Sequence, residues 1–417
     1  GVADNLRRAL DAVPQAARET DEAVKTLLVG VEATERQLIA AFGKAGVRTV
    51  ANLKPCLLND HPAYAALAAE GAFVRDDQGP CLEQFWDGWG AHLDFTRDGD
   101  RAWWQRGLQQ QILDVGVDVG WNDNNEYEIW GERAAIHGFG ERLPMARARS
   151  LQALLMTRAT YDQQARHKPD ERIYTITRAG PPGLQRYAQT WSGDNSTSWH
   201  TMRWNQRMAL TMSLSGMFNT GHDIGGFDGP VPDAEMLIRW TQACCLVPRM
   251  IMNSWKADGS VNSPWLHAEA TPAIRAAVQL RLKLMPYLYT QMWRATREHL
   301  PVLRPTFFDF GDDEHTWADN DEMMVGPDLL AAPVFEPGAR KRSVYLPVIR
   351  DFVPEVLDVF DFAEPSLVVA ERDVTNVPSQ ALYLMNNSFV RTQATAMAKR
   401  VLTAPIAEAK RIDYAHL

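Results

Sequence analysis

Two short stretches hold the side chains most able to do chemistry: Gly120-Trp121-Asn122-Asp123-Asn124-Asn125-Glu126 and Trp191-Ser192-Gly193-Asp194-Asn195. Each follows a short apolar run and sets an aspartate near a tryptophan where a strand is predicted to end. Two carboxyl groups facing one bond, with an apolar wall for a sugar ring, are what cleavage of a glycosidic bond needs. The nucleophile of such a pair must stay ionised near neutral pH, so it wants hydrogen-bond donors and a cation. Asp123 has the amides of Asn122, Asn124 and Asn125 beside it in sequence, and Arg178 could supply the charge. The general acid must start protonated, which calls for an apolar setting or the other carboxylate. Asp194 lies near Trp191 and Trp199 in sequence and suits that role. A separation of about 5–5.5 Å would give retention and a wider gap inversion.

Singly, each of these residues has a plainer account. An aspartate between a strand and a helix is most often a cap or a turn former. Asp194, with Asn195 and Ser196 following, fits that account; Asp123 sits among more polar groups than a cap requires. Asp223 lies in Gly221-His222-Asp223-Ile224-Gly225-Gly226-Phe227, where glycines permit either close approach to a ligand or only a tight loop. For Arg178 the plain reading is an ordinary salt bridge. What raises the set above its members is convergence: Asp123, Arg178, Asp194 and Asp223 each fall just after a different strand candidate. In a β/α barrel the reactive groups gather at those strand ends.

The elements that must position them follow from periodicity. Residues 1 to about 45 read as helix, rich in alanine, leucine, arginine and glutamate. From Val47 short strands alternate with longer helices, the pattern of parallel β/α units. The strand candidates are Val47–Leu53, Val117–Trp121, Ile173–Thr177, Ala188–Trp191, Met217–Thr220 and Met250–Asn253. Helices are predicted over Ser196–Leu214, capped by Asn195 or Ser196, over Asp233–Leu246, and from Pro272 to about His299 with a kink at Pro286. The fold class is therefore α/β, a (β/α)8-type barrel that is incomplete, with six strand candidates where a full barrel has eight. Four parts are expected: a helical segment at 1–43, the barrel at 44–300, the start of a β appendage at 301–341 (Val302–Phe310, Leu329–Val334), and an unrelated segment at 342–417 ending in a helix near Ala394–Leu402.

Of 417 residues, 46% are hydrophobic and 23% charged, the balance of an ordinary globular chain. A net charge of −9 argues against a nucleic-acid or anionic-membrane partner. No apolar run approaches the length of a membrane span and no signal sequence opens the chain, so a cytoplasmic location is expected. Cys56, Cys81, Cys244 and Cys245 lack metal-ligand spacing and read as free thiols. No metal and no cofactor is called for. His92, His200 and His222 could join carboxylates at strand ends in a metal site, but no histidine–carboxylate pair has tight ligand spacing.

Residues from about Lys44 to Val334 closely resemble glycoside hydrolase family 31, the α-glucosidase and α-xylosidase family. Trp121-Asn122-Asp123-Asn124-Asn125-Glu126 is similar to its nucleophile motif, and Asp194 in Trp191-Ser192-Gly193-Asp194-Asn195 to its acid/base. Asn52-Leu53-Lys54-Pro55, Asp94-Phe95-Thr96 before Trp103-Trp104, Leu284-Met285-Pro286-Tyr287-Leu288-Tyr289 and Gly326-Pro327-Asp328-Leu329-Leu330 extend the likeness. The resemblance implies retaining hydrolysis of a terminal α-linked sugar, from an oligosaccharide or small α-glycoside, without a cofactor. It implies Asp123 as nucleophile and Asp194 as acid/base, with Trp121, Arg178, Trp191 and Asp223 on the sugar. Where the family carries a sugar-binding histidine after its eighth strand, the nearest residue here is Asn253. The family's N-terminal β-sandwich and first two strands have no counterpart. Residues from about 342 to 402, with Arg372-Asp373-Val374-Thr375-Asn376-Val377-Pro378, are similar instead to a bacterial domain of unknown function. A carbohydrate-binding or inert remnant, a metal-dependent barrel enzyme, and a scaffold role for the helical ends stand as the alternatives.

Overall fold

A computed structural model describes residues 13, 20–85, 88–318, 321–338, 359 and 377–403. Contacts divide the chain into two units, residues 1–329 with 335–337, and residues 330–334 with 338–417.

The first unit is built on a parallel arc whose members follow one another in chain order. Strands β1 (Val50–Leu53), β2 (Val119–Asn122) and β3 (Thr175–Thr177) form one sheet with β2 in the middle. Strands β4 (Gly221–Asp223) and β5 (Arg249–Ile251) form another parallel pair. Between them runs Gln189–Ser192, which is too irregular to be a ladder on both sides. Its backbone still joins the two sheets: Gln189 exchanges bonds of 2.9 Å with Thr175 and Thr177, while Thr190 and Ser192 donate to Asn219 (3.1 Å) and Gly221 (3.2 Å). Six neighbouring segments thus share one direction. No pairing between β1 and β5 is present among the described residues, so the arc is not a closed barrel there.

Helices connect successive strands of the arc, with one more before the first strand and one after the last. They are α1 (Glu22–Lys44), α2 (Asp98–Leu108), α3 (Met145–His167), α4 (Trp199–Leu214), α5 (Ala234–Cys244) and α6 (Thr271–Glu298). Their starts are chemical. The Asp21 carboxylate accepts from two backbone amides of α1, and Asp233 accepts from Met236 N at 2.8 Å. The cap of α4 is Ser198, whose hydroxyl accepts from Thr201 N at 3.0 Å, rather than Asn195 or Ser196, which are held in a loop. Helix α6 runs on through Pro286, where the sequence predicts a kink. The predicted strand Met217–Thr220 forms instead at Gly221–Asp223, because the histidine and aspartate there are buried by their neighbours and join the ladder.

Between β1 and α2 the chain leaves the β/α pattern. Cys56–Leu58, Leu82–Phe85 and Gly88–His92 make an antiparallel sheet, and Arg75–Asp76, Gly79–Pro80, Ala135–Ile136 and Leu143–Pro144 another. Together with α3 they bury a core that includes Phe73, Leu93, Phe95, Tyr127, Ile136 and Met156. At its centre the buried Asp94 accepts from Thr96 N, Thr96 Oγ1, Gln152 Nε2 and His137 N. Farther on, Leu303–Arg304 pairs antiparallel with Met323–Val325. The rest of the predicted β run Val302–Phe310 is a short helix, Thr306–Asp309. All four cysteines are free, Cys244 and Cys245 buried and the other two partly so.

In the second unit the described residues include two helices, α7 (Pro378–Asn386) and α8 (Ser388–Thr403). Asn387 lies between them, and its side chain accepts from Phe389 N and Val390 N. The segment Arg372–Asn376, part of the likeness drawn for the tail, lies outside the described residues.

Candidate active site

At the C-terminal ends of β2, β3 and the Gln189–Ser192 segment one guanidinium gathers three carboxylates. Arg178 Nη1 stands 3.5 Å from Asp123 Oδ1 and 3.1 Å from Asp194 Oδ2, and Arg178 Nε stands 2.6 Å from Glu126 Oε1. Burial works against the Arg178 charge, but Glu126, Asp194 and Asp123 outweigh it and raise its pKa. Glu126 is pushed up from the usual carboxylate range by burial, opposed by Arg178.

The second oxygen of Asp123 has its own partners on β1 and just beyond. Asn52 Nδ2 donates to Oδ2 at 3.0 Å, and Lys54 Nζ stands 3.6 Å from it. The amide that reaches Asp123 therefore comes from the neighbouring strand, not from the asparagines beside it in sequence. Those have other tasks. Asn122 accepts from Thr160 Oγ1, Asn124 accepts from Lys54, and the buried Asn125 donates to Thr177 Oγ1 and accepts from Ala179 N. Two residues of this loop, Asn124 and Tyr127, have positive φ, 48° and 55°. Such a conformation persists for a tyrosine only where surroundings enforce it. Here Tyr127 is fully buried and its hydroxyl donates to Leu93 O at 2.9 Å.

A second group lies under the first. The buried Asp223 pairs with buried Arg249 (Oδ1 to Nη1, 3.0 Å) and accepts from Asn253 Nδ2 at 3.2 Å. Its pKa is raised by burial, against the pull of Arg249. The Arg249 guanidinium sits 5.4 Å from the ring of Trp121 and 5.3 Å from that of Trp191, while the two indoles meet edge to face at 5.0 Å. Trp191 is thereby turned inward, and Asp194 is not in the apolar setting its neighbours in sequence suggest: it meets Arg178 and is 39% exposed. Asn195 links the two groups, donating from Nδ2 to Asp223 O at 3.1 Å.

All seven residues singled out from sequence, Trp121, Asp123, Arg178, Trp191, Asp194, Asp223 and Asn253, thus belong to one continuous cluster. Sequence reasoning gave no role to Asn52, Lys54 or Arg249. Arg249 opens a short strand, where a charged residue reads as a boundary, and no spacing marks it as the partner of Asp223. Several buried polar atoms here have no hydrogen-bond partner: Trp121 Nε1, Trp191 Nε1, Ser192 Oγ, Asp123 Oδ1 and Arg249 Nη2. Buried polar groups are normally paired, so these donors, with the Asp123 oxygen that only the Arg178 ion pair reaches, are suited to a hydroxyl-bearing ligand. Among the described residues no three acidic, histidine or cysteine side chains stand together as a metal site.

Fold and site define a parallel β/α protein with paired carboxylates at its strand ends. The chain belongs to the glycosyl hydrolases family 31: the family's TIM-barrel domain matches residues 32–291. Residues 304–417 match a second family, a protein of unknown function (DUF1553). Alpha-glucosidase 2 of Bacillus thermoamyloliquefaciens is 32% identical over 324 residues, 75% of this chain and 40% of that protein. Among solved structures, a GH31 α-xylosidase from a soil metagenome, complexed with xylose, superposes with a TM-score of 0.68 at 26% identity, over 73% of this chain and 48% of that one. A GH31 dextranase from Flavobacterium johnsoniae, complexed with glucose, gives 0.67 at 26% identity, over 73% and 39%. The chain spans less than half the length of each of these relatives.

Proposed function

We propose that this chain is a retaining α-glycoside hydrolase that releases a terminal α-linked glucose or a related sugar through a covalent glycosyl–enzyme intermediate. Asp123 is the nucleophile and Asp194 the acid/base, while Trp121, Arg178, Trp191, Asp223 and Asn253 hold the sugar. One observation carries the reading: a single nitrogen, Arg178 Nη1, lies 3.5 Å from an Asp123 oxygen and 3.1 Å from an Asp194 oxygen. Those two distances together bound the nearest approach of the carboxylates. The bound accommodates the ~5–5.5 Å of a retaining pair.

The roles divide by surroundings. Asp123 has a donor in Asn52 and cations on both oxygens, Lys54 on one and Arg178 on the other, the company that keeps a nucleophile ionised. Asp194 is the more open of the two. A glycoside bound across the mouth would cover it and come between it and Arg178. In the first step Asp123 attacks the anomeric carbon as Asp194 protonates the departing oxygen. In the second, Asp194 takes a proton from water, which cleaves the glycosyl ester with a second inversion and so net retention. Relatives named as an α-glucosidase, an α-xylosidase and a dextranase support an α-linked neutral sugar. The division into a helical segment at 1–43, a barrel at 44–300, an appendage at 301–341 and a separate tail belongs to the same proposal.

Aryl α-glucosides and α-xylosides test it. The protein should release the phenol, proton NMR should show the α-anomer first, and Asp123→Ala should lower turnover by about 10⁴-fold or more. A folded protein that releases no phenol from any α-glycoside would sink the hydrolase reading. Sugar binding without turnover would favour a carbohydrate-binding remnant.

A further inference from the structure

Lys256 is the most deeply buried lysine in the region of the site, 4% exposed, and its ammonium is surrounded by oxygens. It donates to Thr197 Oγ1 at 2.9 Å and to the carbonyls of Pro230 (3.2 Å), Gly226 (3.3 Å), Asp228 and Gly229 (both 3.5 Å). None of these is a carboxylate oxygen. A charge so buried is expensive to desolvate, and burial holds the Lys256 pKa below that of an ordinary lysine. The structure accepts that expense at the place where two loops meet. One is Gly225–Pro230, after β4; the other is Asp194–Ser198, between the arc and α4.

The two loops are laced from end to end. Phe227 N donates to Asn195 O (2.7 Å) and Oδ1 (3.0 Å), and Asp228 N donates to Asn195 O at 3.2 Å. Thr197 N donates to Asp228 O at 2.9 Å, and Thr197 Oγ1 to Gly225 O at 2.8 Å. Gly226, at φ +80°, lets the loops touch: a Cβ there would come within 2.7 Å of Thr197 N and Cα. The ammonium is what allows four carbonyls to point at one spot. Without it their partial charges would repel and the loops would part, moving Asn195 and with it the adjacent Asp194.

We propose that Lys256 is a positioning residue for the acid/base arm, holding the Asp194 turn through the Gly225–Pro230 loop so that leaving-group protonation, more than nucleophilic attack, depends on it. This rests on the assignment of Asp194 under the proposed function. Asp123 is carried by a separate loop, tied to β1 through Asn52 and to β3 through the bond from Asn125 to Thr177, so loosening the Lys256 cage leaves the nucleophile in place.

The test is the dependence of kcat/KM on leaving group in a series of aryl α-glucosides, from dinitrophenyl to weakly acidic phenols. Loss of general-acid help is worth about 10²–10⁴-fold where the leaving group needs a proton and little where it does not. Lys256→Met should therefore lose about 10²-fold on the poorest leaving group while staying within about threefold on the dinitrophenyl substrate. Thr197→Val, which removes one cage oxygen and is milder if Lys256→Met does not fold, should tilt the series the same way by less. Equal losses across the series, or none, would overturn the lysine's role. Asp194→Ala is run alongside. A steep slope there with a flat Lys256→Met rejects this inference alone, while a flat Asp194→Ala rejects the acid/base assignment itself.

Discussion

Arg178 and Arg249 do different work with the same chemistry. Arg178 lies at the mouth, partly exposed, and shares its charge among Asp123, Glu126 and Asp194, so a ligand can take over some of its contacts. Arg249 lies beneath, its side chain and that of Asp223 3% and 0% exposed, and two indoles enclose it. Breaking such a pair strands a charge in a dry place and costs about 3–5 kcal/mol. Arg249→Met should lower stability by that amount in urea denaturation, and adding Asp223→Asn should recover part of it. A loss below about 1 kcal/mol would mean that Asp223 is not charged there. The same pair explains why Asn253 counts: it satisfies the Asp223 oxygen that Arg249 does not reach. From sequence, Asp223 was visible as a candidate and Arg249 was not, since the contact joins neighbouring strands 26 residues apart.

Elements here are fixed as much by polar anchors as by apolar faces. The start of α2 is one example. Asp100, in its first turn, is buried beside Arg97, whose Nε lies 3.8 Å away. Burial, helped by Asp94 and Glu70 and opposed by Arg97, raises its pKa to about 7. A carboxyl raised in the fold stabilises it fully at pH values below the unfolded value, near 4, and loses that contribution as pH rises through about 7. Asp100→Asn should therefore leave the unfolding free energy at pH 4 nearly unchanged and raise it at pH 8 by at most on the order of 4 kcal/mol, read from urea denaturation at the two pH values. An equal effect at both pH values would show that Arg97 keeps the group ionised throughout. Helix α4 shows how element boundaries escape a linear reading. Three polar residues, Asn195, Ser196 and Ser198, compete for the cap, and tertiary contacts decide: Asn195 is claimed by Phe227 and Asp223, leaving Ser198 to the helix.

Over the whole molecule the net charge of −9 contrasts with a site where Lys54, Arg178 and Arg249 nearly balance the carboxylates, as the uncharged sugar of the proposed function would require. No helix among the described residues is long and apolar enough to cross a membrane. If the tail from residue 342 is a separate part, as proposed, its removal should leave aryl α-glycoside turnover unchanged, measured on the shortened protein beside the full chain. A large fall in kcat would make the tail part of the working enzyme. Much of this plan could be read from the residues alone: the alternation of strands and helices, the two aspartates, and the polar groups that follow successive strands. Those features are local, because period, turn chemistry and strand-end position are written in consecutive residues. The antiparallel excursion after β1, the donor from Asn52, the inward turn of Trp191 and the enclosure of Arg249 and Lys256 came only with the tertiary structure. Each joins residues distant in the chain, and which donor meets which buried charge is decided by how strands lie side by side.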